Sequence, residues 1–414
     1  MNKWKKSVRS LCLGMALMMS VSWTAFAATD GATGPGQAAG GTVSGAVPSG
    51  AMVTSQNAAQ PTVAAQGAVL YDATHNQFLF SKNADTQYYP ASITKLMTAL
   101  LVLEALDRDE IALTDSVQIS PRAAAMKGSQ ALLDASAVYP LEDLLRTTIM
   151  ASANDSAVAL SEYIAGSEEN FVDRMNRRAA ELGMTNTNYV NCTGYPQSGQ
   201  YTTARDVCRL CCEIAKHPRY NQYASVWIDK LTHPSGRVTD LTNTNRLVRF
   251  YEGCDGYKTG STDAAKYCLA ATAEKNGMRL VAIVLGTPVS QTRFNEARQM
   301  LDYGFATYRR VVIANKGDLL GQNVEVRGGS AESVPLALGS GLSMLLKNGQ
   351  QSGLSLSVQL PESVDAPIAQ GDVIGLVDVL LDGQVIAKLN CVAAEDVPRP
   401  GFIEGLLRIL RNWR

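Results

Sequence analysis

Histidine is scarce in this chain: three in 414 residues, His75, His217 and His233. His75 lies in a tight Asp-Ala-Thr-His-Asn turn, and His217 and His233 each precede a proline. No histidine or serine sits in a Gly-x-Ser-x-Gly context, so a serine hydrolase built on a Ser-His-Asp triad has little to draw on. A surplus of either charge is also missing, with 37 Lys and Arg against 38 Asp and Glu, a net charge of −1. No basic stripe is available for phosphates, which argues against nucleic acid as a partner. The apolar run from Leu11 to about Val21 is too short for a comfortable transmembrane helix.

What is present divides the chain into stretches of different character. Residues 1–27 read as a signal peptide: Lys3, Lys5, Lys6 and Arg9 open it, the apolar run follows, and Ala25-Phe-Ala27 supplies a small-x-small cleavage pattern. Residues 28–62 are rich in Ala, Gly, Ser, Thr and Pro and hold too little apolar surface to offset their ordering entropy, which predicts a flexible linker. The remainder is long enough for two domains, predicted at 63–310 and 311–397, with a terminal segment at 398–414.

Eight cysteines occur, and Cys12 falls within the signal peptide, leaving an odd seven. Cys208, Cys211 and Cys212 share one helix face at i, i+3, i+4 spacing. A metal site there would need His217 as fourth ligand; the simpler reading is small apolar groups facing the core. No metal and no cofactor is expected.

Strand and helix signals follow one another in blocks. Ala68–Tyr71 and Phe78–Phe80 flank a turn and predict a hairpin. Ser92 is expected to begin a buried helix just after Pro90, and a helix from Pro140 to about Met150 is broken at Ser152-Ala-Asn154. Asp155 is expected to N-cap the next helix, which stops at Gly166. Further helices are expected over 168–182, from Thr203, and from Arg293 to about Tyr308. Tyr267–Ala273 and Met278–Leu285 read as strands joined by an Asn276-Gly277 turn. This order predicts an α+β domain, a helical cluster on an antiparallel sheet. Residues 311–397 alternate short strand-like pieces with turns and predict a small all-β domain.

Three short motifs carry the chemistry: Ser92-Ile-Thr-Lys95, Ser152-Ala-Asn154 and Lys258-Thr-Gly260. A serine hydroxyl needs a base, and a neutral lysine three residues on along a helix is placed to be one. Lys95 must then fall from an unperturbed pKa of about 10.4 toward neutrality, through burial and a second cation, Lys258. Ser152 can relay a proton to a leaving group, and Asn154 can hold Lys95 and a substrate amide. Gly260, at the start of an edge strand, lets a ligand approach the backbone closely. The N–H of Ser261 can pair with that of Ser92 as an oxyanion hole. Lys258 and Thr259 offer a cation and a hydroxyl to a carboxylate. Each motif alone has a bland structural explanation; their conjunction in one exported domain does not.

With these residues the chain closely resembles the low-molecular-mass penicillin-binding proteins, specifically the serine D-alanyl-D-alanine carboxypeptidases. The resemblance runs from about residue 62 to the C-terminus through Pro90-Ala-Ser-Ile-Thr-Lys-Leu-Met-Thr-Ala99, Met150-Ala-Ser-Ala-Asn-Asp155, Asn243-Thr-Asn-Arg-Leu247 and Asp255-Gly-Tyr-Lys-Thr-Gly260. It implies a β-lactamase/transpeptidase-like domain and a small all-β domain. It further implies Ser92 as acylated nucleophile, Lys95 as general base, Ser152 and Asn154 lining the cleft, and Lys258, Thr259, Gly260 and Ser261 binding substrate. Arg293 matches the place of a family arginine that faces the substrate's terminal carboxylate. The implied substrate is the D-Ala-D-Ala end of a peptidoglycan stem peptide, with β-lactams as inhibitors. Alternatives at the same site are a D,D-endopeptidase or a β-lactamase, though no convincing deacylating carboxylate loop is evident; a silent cell-wall binding protein is the other. Gln200 stands where relatives usually carry histidine.

Phe402–Arg414 projects Phe402, Ile403, Leu406, Leu407, Ile409, Leu410 and Trp413 onto one helix face, with Arg408 and Arg411 opposite. Such a helix suits lying in a membrane surface. The expected location is extracytoplasmic, attached to the outer face of the cytoplasmic membrane.

Overall fold

The computed structural model describes residues 59–403. The leader, most of the linker and the terminal segment beyond Ile403 lie outside the described residues. The described chain falls into two compact units that divide between Arg309 and Arg310.

The first unit is built on a five-stranded antiparallel sheet. Its strands are β1 (Gly67–Asp72), β2 (Gln77–Lys82), β3 (Cys254–Thr262), β4 (Lys266–Lys275) and β5 (Met278–Thr287), in the order β2-β1-β5-β4-β3. The expected β1–β2 hairpin is present. Asn276 and Gly277, at φ 52° and 70°, turn β4 into β5, as the Asn-Gly pair predicts. In β5, Leu280 to Leu285 are fully buried on consecutive positions, so both sheet faces are covered. One face carries the helix α6 (Ser290–Thr307); a Cβ on its Gly304 would come within 2.5 Å of Leu280, so glycine permits the close approach. The helical cluster packs on the other side: α1 (Lys95–Asp107), α2 (Leu141–Met150), α3 (Asn154–Ala165), α4 (Glu168–Glu181) and α5 (Ala204–Ile214). Leu96, Leu100, Leu103, Leu144, Leu160, Phe171 and Met175 fill the core between them. Fully burying each such side chain contributes about 1.5–3 kcal/mol.

Two expectations shift in detail. Asp155 does not cap α3; it sits in the first turn, and its carboxylate accepts N–H bonds from Ala131 and Leu133, fixing the loop before α2. Lys258-Thr-Gly260 belongs to an edge strand as expected, but not to its start: β3 begins at Cys254 and the motif lies well inside it. Two glycines and an aspartate hid that strand's pattern in the sequence.

The second unit is all-β by itself. Its six-stranded sheet includes Leu319–Arg327, Ser333–Leu338, Leu354–Gln359, Val373–Leu381 and Gln384–Ala393, and a two-stranded pair joins Tyr308–Ala314 to Leu342–Lys347. Val334, Val377, Val379, Leu389 and Cys391 form its core.

Candidate active site

Ser92 lies in a short 3-10 turn, Ala91–Thr94, that leads directly into α1; the α-helix proper starts at Lys95, slightly later than the sequence suggested. Ala91 has φ 47°, a left-handed conformation unusual for alanine and of the kind held at functional turns. Neighbouring elements lock the turn. A Cβ on Gly194 (φ 81°) would fall 1.8 Å from the Ala91 carbonyl oxygen, and one on Gly260 would lie 3.0 Å from the Pro90 carbonyl oxygen and 3.2 Å from the Ala91 Cβ. Both positions need glycine because backbones touch there. Ser92 is half-buried, while Ile93 and Thr94 are buried beneath it.

Lys95 is buried, with Nζ 3.1 Å from Ser92 Oγ and donating to the Thr193 carbonyl at 2.7 Å. Burial pulls its pKa down to about 7, and Asp155 opposes this. The Cys192 thiol, pushed well up by burial, stays neutral and supplies no countercharge. Lys258 is also buried, and its pKa is held well below the usual lysine value by burial, then by Lys95 and Arg293. Burial is the largest cause for both lysines, and because repulsion between two ammoniums acts on both alike, Lys95 and Lys258 disfavour each other's charge. A neutral amine has two N–H groups and one lone pair; with one N–H committed to Thr193, its lone pair is free to take a proton from Ser92.

Ser152 joins α2 to α3 at φ 62°, and its buried Oγ has no hydrogen-bond partner among the described residues. An unpaired buried hydroxyl beside a cleft is a group held ready for another partner. Asn154 does not bond Lys95, contrary to expectation. Its Nδ2 donates to the Lys127 carbonyl and its backbone N–H to that of Ser129, so it ties the loop 127–129 to the start of α3.

Along β3, Thr259 Oγ1 donates to Thr244 Oγ1 at 2.7 Å, and Ser261 is exposed. Arg293, near the start of α6, is buried. Its Nη1 donates to the carbonyls of Gly260 (3.0 Å) and Cys268 (3.3 Å), and Nη2 to Ser290 Oγ. Its Nε has no partner among the described residues. Burial lowers its pKa to about 10, still cationic at neutral pH. Arg293 thus grips the back of β3 and brings positive charge to the Lys258–Gly260 end of the cleft; the structure shows it bonded to backbone rather than facing open space.

The loop Asn191-Cys-Thr-Gly194 is the part that motif reasoning missed. Asn191 Oδ1 accepts from the N–H groups of Thr193 and Gly194, Glu168 accepts from Cys192 N–H, and Thr98 donates to the Cys192 carbonyl. Gln200 Oε1 accepts from the N–H groups of Val190 and Asn191, and its Nε2 donates to Thr94 Oγ1. Together they aim the Thr193 carbonyl at Lys95 across nearly a hundred residues. The Asn-x-x-Gly turn signal was the only local hint.

The histidines are engaged elsewhere: His75 with Asp72, His217 with Asp107, and His233 with Tyr139 and Thr239. Cys208 and Cys211 are buried thiols, and all seven described cysteines are free. His217 groups with Glu104 and Glu213 rather than with the cysteines, and Arg178 already bonds both carboxylates.

Comparisons with known proteins agree with one another. Residues 54–289 match the family model described as D-alanyl-D-alanine carboxypeptidase, and residues 308–399 match that of the penicillin-binding protein 5 C-terminal domain. D-alanyl-D-alanine carboxypeptidase DacF of Bacillus subtilis is 36% identical over 84% of this chain and 90% of its own length. DacC of Escherichia coli is 34% identical over 85% of this chain and 89% of its own. Penicillin-binding protein 5 from Haemophilus influenzae superposes with a TM-score of 0.67 at 32% identity, covering 82% of this chain and 99% of that structure.

Proposed function

Since the chain belongs to the D-alanyl-D-alanine carboxypeptidase family, we propose that Ser92 carries its reaction: removal of the terminal D-alanine of peptidoglycan stem pentapeptides through an acyl-enzyme. The observation that carries this reading is the contact between Ser92 Oγ and the buried Lys95 amine, 3.1 Å apart. The protein is a serine-type carboxypeptidase and penicillin-binding protein, and neither the endopeptidase nor the β-lactamase alternative is favoured.

Neutral Lys95 takes the Ser92 proton as Oγ attacks the carbonyl of the penultimate D-alanine. The N–H groups of Ser92 and Ser261 face the oxyanion that develops, where one such donor is worth about 2.7–4 kcal/mol. Protonated Lys95 returns the proton, through the unpaired Ser152 hydroxyl, to the departing D-alanine nitrogen. Thr259, Lys258 and the charge of Arg293 receive the substrate carboxylate at the near end of β3. Water, deprotonated by the same lysine, then releases the shortened peptide and regenerates Ser92. A β-lactam carbonyl enters the first half of this cycle, and its leaving nitrogen stays tethered, so the acyl-enzyme persists. The test is D-alanine release from a D-Ala-D-Ala pentapeptide by the wild type beside Ser92→Ala. Release by the wild type alone supports the reading; equal release by both contradicts it.

The basic, apolar and small-x-small leader supports export, and the amphipathic Phe402–Arg414 stretch supports attachment to the outer face of the membrane. No described helix is long and apolar enough to cross a membrane, and the exposed Phe402 and Ile403 open that stretch. Deleting residues 399–414 is expected to move the protein from the membrane to the soluble fraction; unchanged partitioning sinks the anchor.

A further inference from the structure

A pocket of about 310 Å³ opens beside the Ser92 turn. Tyr89 and Tyr195 wall it, both roughly half exposed, and Gln197, Gln200, Thr262 and Ala264 complete its polar and small-residue lining. It contains no Asp, Glu, Lys, Arg or His. Asp263, on the turn after β3, and Lys266, which opens β4, are exposed and of opposite sign.

Its place along β3 decides what it can take. Lys258, Thr259 and Arg293 gather at one end, where a terminal carboxylate belongs. Thr262 lies three residues beyond Thr259 along an extended strand, about 10 Å away, with Gly260, which abuts the Ser92 turn, and Ser261 between. A peptide with its carboxylate at Thr259 and its scissile carbonyl over Ser92 therefore sends the residue preceding D-Ala-D-Ala toward Thr262 and the two tyrosines.

We propose that this Tyr89–Tyr195 pocket is the subsite for the side chain that precedes D-Ala-D-Ala. It selects a long aliphatic side chain ending in an amine and disfavours one that also carries a free carboxylate. This rests on the reading of Ser92 as nucleophile. The chemistry follows from the lining. The negative faces of the tyrosine rings and their hydroxyls receive an alkyl stem and an ammonium, while the oxygens of Gln197 and Gln200 are already committed to the 190–191 loop. A carboxylate entering the same space loses water without meeting a cation. Gln197 is held by Asn191, whose Nδ2 donates to its Oε1, so this wall is anchored to the loop that also supplies the Lys95 acceptor.

The experiment measures kcat/KM for D-alanine release from N-acylated tripeptides ending in D-Ala-D-Ala. The preceding residue is lysine, meso-diaminopimelic acid, or the latter with its side-chain carboxyl amidated. Acylation by 6-aminopenicillanic acid, which has no acyl side chain to place in the pocket, is measured alongside. The wild type is expected to favour the lysine and amidated substrates over the free acid by about tenfold. Tyr89→Ala and Tyr195→Ala are each expected to cut that preference to about threefold or less. Equal rates on all three substrates, or a preference untouched by both variants, overturns the pocket while 6-aminopenicillanic acid still acylates Ser92. No acylation by that probe and no D-alanine release would instead sink the Ser92 reading, and the subsite with it.

Discussion

Ser92 and Lys95 stand three residues apart at the start of a helix, so their meeting is a matter of local geometry. What local geometry does not supply is the state of the lysine, which comes from burial under loops distant in sequence. This has a consequence for stability. A lysine that titrates at about 7 when folded and about 10.4 when unfolded is bound by more protons in the unfolded chain between those values. Its burial cost is full below pH 7 and fades as pH rises toward 10. The melting temperature of the wild type relative to Lys95→Met is therefore expected to climb between pH 7 and pH 10; a constant difference would mean that Lys95 is not depressed. Ser152 gives a separate test. Its hydroxyl bonds nothing among the described residues, so Ser152→Ala should leave the melting temperature unchanged while slowing D-alanine release by about 10²–10⁴-fold, the range for lost proton transfer. The three motifs were legible in the sequence because each is a short run of fixed spacing. The Thr193 carbonyl, the Thr244 hydroxyl and the Gln200 brace were not, because their partners lie far along the chain. Arg293 was found by position, but its bonds to the Gly260 and Cys268 carbonyls could not be read from spacing.

At the scale of elements, the site is a junction where the Ser92 turn, the edge strand β3 and the loop 191–194 touch through backbone. Gly194 and Gly260 permit that contact. Gly194→Ala places a methyl group against the Ala91 carbonyl at a left-handed φ and is expected to cost about 3 kcal/mol or more and to abolish penicillin acylation. Gly183, also left-handed (φ 70°) but with open space around it, provides the contrast: Gly183→Ala should cost only about 1 kcal/mol and leave acylation intact. Denaturant midpoints of the two variants, measured together, decide the matter. The helices and the β4–β5 hairpin were readable from apolar periodicity and the Asn-Gly turn, since one face or one turn type dictates each. The first half of β3 escaped because Cys254-Asp-Gly256 has no β-branched residue, and what makes it a strand is its pairing with β4. Asp155 looked like a cap in sequence, yet its carboxylate serves the 131–133 loop, a choice only tertiary contact could reveal.

For the whole molecule, the described chain divides between Arg309 and Arg310 into two units with separate cores. All the candidate catalytic and binding groups belong to the first. A fragment of residues 59–309 is accordingly expected to keep penicillin acylation within about threefold of the full chain, because the barrier is set by contacts inside that unit. A loss beyond tenfold would place part of the active-site support in the second unit. The α+β to all-β change along the chain was visible in the sequence from the end of long amphipathic helices near residue 311. The order of strands in the second sheet was not, because alternation marks a strand without naming its neighbour.

The central claim is that Ser92 is made nucleophilic by a lysine that is neutral at working pH. The direct measurement is the second-order rate of acylation by a labelled penicillin from pH 5 to 10, with the adduct mapped by peptide mass. The account predicts label on Ser92 alone, a rate rising through a pKa near 7 and level above it, and a loss of about 10³-fold or more in Lys95→Met. A rate flat across pH 6 to 9, or label on another residue, would contradict it.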